Sequence, residues 1–335
     1  MPHRQESNQM RYIIFDIRIW SLTGSLVLLL GIFTPLMAQG TPEEKIQIEF
    51  AQRLFNEGQF ADAAQGFKDF IVDYPTSDRL AYSMLQLGKA YKKSGQYQQA
   101  TEAFQQFIER NPNHLEVPAA MRSKAHSLNR LGEYTKAGVA FQDVHTAYPE
   151  GEYATQDLLD AGKNYHKGEA LDRAEVAFLR LIAQYPQSPL IHEAIYNLGL
   201  VLQEVNRSEE ALTQFQTIAD YSGPTERKPN ALLEMGKIAL AQEKLREAED
   251  VFARLRKQFS KSASAETSYL VLADWYAGQN NWERAEATYA NAQRNFPYNP
   301  RRQQAVLGKA HAQRMLEKFD QALSLYSQFL KVYPK

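Results

Sequence analysis

The chain has 335 residues, 44% of them hydrophobic and 23% charged, and its 38 Lys and Arg nearly cancel 39 Asp and Glu for a net charge of −1. Such a composition is globular and excludes wholesale disorder or a collagen-like chain, while near-neutrality argues against a general nucleic-acid or other polyanion binder. Cysteine is absent, which excludes disulfides, thiolate catalysis, cysteine-ligated zinc, iron–sulfur clusters and thioether lipid anchors together.

At the amino end, residues 22–33 (LTGSLVLLLGIF) form an apolar run preceded by Arg4, Arg11 and Arg18 and followed by Pro35 and Leu36-Met37-Ala38. This pattern predicts a secretory signal, residues 1–38, cleaved after Ala38. Asp16 and Arg18 bound the run on one side and Pro35 on the other, leaving it short of the ~20 residues of a bilayer span. No integral membrane span is expected after cleavage, and the alternative is an uncleaved anchor. The run is followed by Ala38-Gln39-Gly40 and no cysteine, so a lipidated amino terminus is not expected. Residues 39–43 are a lead-in, and Thr41-Pro42-Glu43-Glu44 carries the N-cap, proline and acids of a helix start.

From there the chain repeats. GQFADAAQGF, GQYQQATEAF and GEYTKAGVAF align on Ala63, Ala100 and Ala137, and steps of 37 continue to Ala174, Ala211, Ala248, Ala285 and Ala322. Four residues after each stands an aromatic: Phe67, Phe104, Phe141, Phe178, Phe215, Phe252, Tyr289 and Tyr326. Residues at i and i+4 share a helix face. Twelve residues before each alanine lies a small residue: Ala51, Gly88, Ala125, Gly162, Gly199, Gly236, Ala273 and Ala310. Glycine costs about 1 kcal/mol in a helix interior, so its use there predicts close helix packing. Proline follows each alanine by twelve in six units (Pro75, Pro112, Pro149, Pro186, Pro297, Pro334), with Gly223 and Ser260 in the other two, and ends the second helix. The prediction is an all-α chain of about eight 37-residue helix-turn-helix units, starting near residues 44, 81, 118, 155, 192, 229, 266 and 303. A lone helical hairpin cannot bury its apolar face, and stacked hairpins can, so residues 44–335 are read as one α-solenoid.

Small residue, glycine-x-aromatic turn, alanine and aromatic together resemble the tetratricopeptide repeat, over essentially the whole chain after the signal. Tyr–Pro exits such as Tyr74-Pro75 and Tyr185-Pro186 resemble bacterial cell-envelope members, of the kind of the outer-membrane β-barrel assembly lipoprotein and the Tol–Pal-associated periplasmic coordinator. This chain lacks the cysteine of the first and the coiled-coil start of the second. The resemblance implies a right-handed superhelix, a non-catalytic protein-binding role, and an exported, periplasmic or outer-membrane-associated location. Outer-membrane assembly and division-linked envelope maintenance are the processes it implies.

No catalytic motif is present: there is no phosphate loop, G-x-S-x-G or H-E-x-x-H. His114, His126, His145, His166, His192 and His311 are scattered over the units. Packed helices sit roughly 10 Å apart, whereas metal ligands converge within about 2 Å, so no metal and no cofactor is expected. Paired acids such as Glu209-Glu210 read as solvated helix faces. Trp282 reads as packing, and Trp275 is open between packing and function.

In tetratricopeptide repeats the first helix of each unit lines a concave groove. The resemblance places Lys89, Lys92 and Lys93 of unit two there, then Arg122, His126, Asn129 and Arg130 of unit three and Lys163, His166 and Lys167 of unit four. Gln203, Glu204, Lys237, Asp274, His311 and Arg314 follow. Positive charge thus gathers on one stretch of an otherwise neutral chain, which points to a protein or peptide partner that is acidic; the alternative is a solvated face. Phe329 and Leu330, on the last helix, are candidate docking residues for a partner or a second copy. Three functions follow: an envelope scaffold, a self-associating structural oligomer, and, remotely, an accessory subunit of an envelope enzyme.

Overall fold

A computed structural model describes residues 41–296 and 301–332. The signal segment, Pro297, Tyr333 and Pro334 lie outside the described residues. From Pro42 onward the chain forms one compact unit that is helical throughout, with no strand among the described residues. The helices alternate between a first helix (A) and a second (B) in each repeat. Units one to four are α1 (Pro42–Asn56) and α2 (Phe60–Asp73), α3 (Leu80–Lys93) and α4 (Tyr97–Arg110), α5 (Val117–Arg130) and α6 (Tyr134–Ala147), and α7 (Ala154–Lys167) and α8 (Leu171–Gln184). Units five to eight are α9 (Ile191–Glu204) and α10 (Ser208–Asp220), α11 (Lys228–Ala241) and α12 (Leu245–Gln258), α13 (Ala263–Gly278) and α14 (Trp282–Asn295), and α15 (Arg302–Met315) and α16 (Phe319–Val332). Each A helix packs on its own B helix, and each B helix on the A helix that follows. The fold is an all-α solenoid.

The repeat residues form its core. All eight register alanines are buried, as are the seven aromatics from Phe67 to Tyr289. The structure also sharpens what the small residue is for. A Cβ added to Gly88, Gly162, Gly199 or Gly236 would stand 2.7, 2.5, 2.6 or 2.1 Å from the ring of Phe104, Phe178, Phe215 or Phe252. Each glycine is thus the seat for the aromatic ring of its own unit.

The turn between A and B is the same eight times. Its central residue has positive φ: Gly58, Gly95 and Gly132 at 78–82°, then Glu169, Asn206, Glu243, Asn280 and Glu317 at 58–62°. The next residue donates its N–H to a carbonyl five residues back, from Gln59 to Leu54 through Lys318 to Gln313. This pairing is the Schellman closure, which satisfies carbonyls the helix end would leave bare.

Trp282 is half-buried against the core with its ring edge-on to His311, and Trp275 is likewise half-buried, edge-on to Tyr276. The buried core divides into three clusters. The first runs from Ile48 to Ala103 and the second from Met84 to Ala120, and both pack on Ile71 and Tyr91. The third runs from Ala125 to Ala312. The division between the second and third falls within α5, whose middle reads Arg122-Ser123-Lys124.

Candidate partner-binding groove

Successive A helices approach one another directly, α3 on α5, α7 on α9, α11 on α13 and α13 on α15, and no pair of B helices packs to the same degree among the described residues. The A helices therefore form the inner row. Along it, residues one, four and five positions after the small residue face the same side, because these offsets return to one helix face.

Between α3 and α5 this face holds a groove of about 650 Å³, lined by Phe55, Lys89, Lys92, Lys93, Tyr97, Ser123, His126, Asn129 and Arg130. Six of the ten inner-surface residues predicted in units two to four meet there. Lys89 has a carboxylate, Glu116, at 3.9 Å. Lys92 reaches only the hydroxyl of Ser123, at 3.5 Å, and burial, then Lys93 and Arg122, holds its ammonium below the usual lysine range. Lys93 and Arg130 are exposed, with no salt bridge among the described residues. His126 does not add to the charge. Its ring stands edge-on to Phe141 at 4.9 Å, and burial, then Lys92, Arg122 and Arg130, lowers its pKa to about 4, so the imidazole is neutral at pH 7. Asn129 gives its amide to Asn164 of the next unit.

The other four predicted residues are engaged elsewhere. Arg122 bonds Asp157 of unit four at 2.6 Å, and its guanidinium lies 3.8 Å over the Tyr153 ring. Burial raises the Asp157 carboxyl to about 6 against the pull of Arg122. Lys163 pairs with Glu193 at 2.6 Å, and Arg227 closes on the same carboxylate. Burial pushes the Glu193 pKa up, but the bonds from Arg227 and Lys163 outweigh it and hold the carboxyl below the usual range. His166 meets Glu204 at 2.7 Å, and Lys167 sits 5.7 Å from the Tyr134 ring. The basic stretch is therefore narrower than the sequence implies. In unit four, Lys163 and His166 are matched by acids of unit five, while Lys167 stays exposed without a salt bridge, so most of the open positive charge lies in units two and three.

Sequence reasoning missed Phe55 and Tyr97. Phe55 occupies the repeat position of Lys92, one unit earlier, so the register could have found it. Tyr97 is the turn aromatic of its unit and reads as core. On α16, Leu330 is exposed and Phe329 half-buried, with Phe319, Leu323 and Val332 also exposed. No cluster of three or more His, Asp or Glu that could hold a metal ion occurs among the described residues, and no described helix is long and apolar enough to cross a membrane.

The repeat, the inner row and the eightfold turn define a tetratricopeptide-repeat protein of the bacterial envelope type. A family model described as an outer membrane lipoprotein matches residues 44–124 and 118–222, more than half of the chain, and the protein belongs to that family. Tetratricopeptide-repeat models match residues 196–263, 233–300 and 304–335. No curated protein matches. Among solved structures, a tetratricopeptide repeat protein from Parabacteroides merdae ATCC 43184 is 15% identical, covering 83% of this chain and 98% of its own at a TM-score of 0.47. PilW, a type IV pilus biogenesis factor, is 19% identical, covering 68% and 99% at 0.42. MamA from Desulfovibrio magneticus RS-1 is 20% identical, covering 54% and 95% at 0.41.

Proposed function

We propose that the protein is a non-catalytic interaction scaffold of the bacterial cell envelope, exported and periplasmic or outer-membrane-associated, that holds an acidic segment of a partner protein in the groove between α3 and α5. The observation that carries this reading is the crowding of Lys92, Lys93 and Arg130 around one groove without a carboxylate of their own. Like charges held together on a part-buried surface favour an incoming anion, which relieves their repulsion. Phe55 and Tyr97 give the same groove apolar walls for the stems of the bound segment. Family membership supports the envelope location, with outer-membrane assembly or division-linked maintenance as the process.

The test is peptide binding to residues 39–335. An acidic peptide should bind more tightly than its Gln/Asn counterpart, and the difference should shrink at high salt. Lys93→Glu with Arg130→Glu should weaken binding at least tenfold while leaving helical circular dichroism unchanged. Equal binding of both peptides, or by the variant, would remove the groove as the recognition site.

A further inference from the structure

The repeat register sets the spacing of the open cations. The last residue of each A helix stands five positions after the small residue, beside the turn, and is exposed in all eight units. It is Asn56 in unit one, Lys93, Arg130 and Lys167 in units two to four, Glu204 in unit five, and uncharged beyond. None of the three cations makes a salt bridge among the described residues. The other inner positions keep no such row. One position after the small residue, Lys89 and Lys163 are matched by Glu116 and Glu193, and His126 between them is neutral. Four positions after it, Lys92 is followed by Asn129 and then by His166, which meets Glu204.

Aromatic rings alternate with these cations. Tyr97 lines the groove with both Lys93 and Arg130, and the Tyr134 ring lies 5.7 Å from Lys167 of the next unit. The two tyrosines open α4 and α6 and are half-buried. At the second of these seams, Thr135 donates its hydroxyl to the Gly168 carbonyl at 3.3 Å. A Cβ on Gly168 would stand 2.5 Å from that hydroxyl oxygen. The missing side chain lets the turn of unit four close on α6, with Lys167 beside Tyr134.

The step from one cation to the next is the step between units. Here α3 packs on α5, and α5 is tied to α7 through Asn129–Asn164 and Arg122–Asp157. Packed helices lie about 8–10 Å apart. A polyproline II segment has three residues per turn and rises about 3.1 Å per residue, so every third side chain returns to one face after about 9 Å. A β-strand returns every second residue, after about 7 Å, and is out of step by the third cation. Segments in the polyproline II form also dock on grooves lined by aromatic rings.

Taking the groove to hold an acidic segment of a partner protein, we infer that this segment is extended, in the polyproline II form, with an acid at every third residue. Its three acids meet Lys93, Arg130 and Lys167 in turn, and the residues between them lie against Tyr97 and Tyr134. Asn56 and Glu204 limit the row to three.

The test uses residues 39–335, since the compact unit starts at Pro42, and reads peptide binding by fluorescence anisotropy. A peptide of Glu-Pro-Ala repeats with three glutamates should bind about tenfold more tightly than one of the same composition with its glutamates consecutive, because neighbouring acids reach only one cation of the row. Lys167→Gln should weaken the spaced peptide by about threefold, the worth of one exposed ion pair, with helical circular dichroism unchanged. Lys237→Gln, an equal loss of charge away from the row, should not weaken it. Equal binding of spaced and consecutive peptides, both tighter than a Gln counterpart, would overturn the spacing and leave the acidic groove standing. If neither exceeds the Gln counterpart, the acidic groove falls and the spacing with it. Tighter binding of a helical peptide with glutamates at every seventh residue, or no loss in Lys167→Gln, would also overturn the inference.

Discussion

Arg122 and His126 stand one turn apart on α5, and the Asp157 carboxylate meets Arg122 from the next unit. The two titratable groups beside this guanidinium are shifted in opposite senses. Burial raises Asp157 to about 6, so the folded state holds a proton that the unfolded chain releases between about pH 4 and 6. Its contribution is therefore complete at low pH and is lost as pH rises through 6. Burial and the surrounding cations lower His126 to about 4, so the unfolded chain binds the extra proton over pH 4 to 6.5. Its contribution is complete above 6.5 and is lost as pH falls through that window. The two slopes oppose one another. Asp157→Asn should make stability rise with pH across pH 4–6.5 relative to wild type, and His126→Gln should make it fall, each on the order of 1 kcal/mol after solvent screening. Urea unfolding at four pH values reads both, and parallel curves for variant and wild type would refute the pairing. Little of this was legible in the sequence. Arg122 could be placed on the inner row from its register, but nothing in its own unit marks the acid that consumes its charge.

At the scale of the helix and its turn, the register made much more visible. Alanine, aromatic and small residue fixed the two faces of each hairpin, and the proline exits fixed its end. The turn was visible only in part. Glycine marks it in three units, while Glu169, Asn206, Glu243, Asn280 and Glu317 hold the same positive φ in the rest. The conformation persists because the flanking hydrogen bonds and helix packing impose it, whatever the residue. An L-residue there bears about 1–2 kcal/mol of strain, partly offset by the greater entropy that glycine loses on folding, about 0.5–1 kcal/mol. Glu243→Gly should accordingly stabilise the protein by about 0.5–1 kcal/mol, seen as a higher denaturation midpoint with an unchanged slope. A lower midpoint would show that the Glu243 side chain supports the turn.

For the molecule as a whole, a solenoid's stability is close to a sum of units and nearest-neighbour contacts. Here the sum is uneven. One buried cluster serves everything from Ala125 to Ala312, and two smaller ones serve the units before it. Backbone amides of α1–α4 should therefore exchange with deuterium faster than those of α7–α12, with the step falling in α5. Uniform protection along the chain would show that the three clusters fold as one. The length of the solenoid could be counted from the sequence. The narrowing of its basic surface could not, because the pairs that engage it span 30 to 38 residues (Lys163–Glu193, Arg122–Asp157, His166–Glu204) and emerge only when consecutive units are laid side by side.

The division of the core inside α5 bears on the groove in a mechanical sense. Lys89, Lys92 and Lys93 rise from α3, on the side of the smaller clusters, whereas His126, Asn129 and Arg130 rise from the half of α5 that begins the large one. The two walls are thus anchored in different clusters of the buried core. A segment bound across both walls would therefore act as a splint, tying the core of the first units to that of the rest.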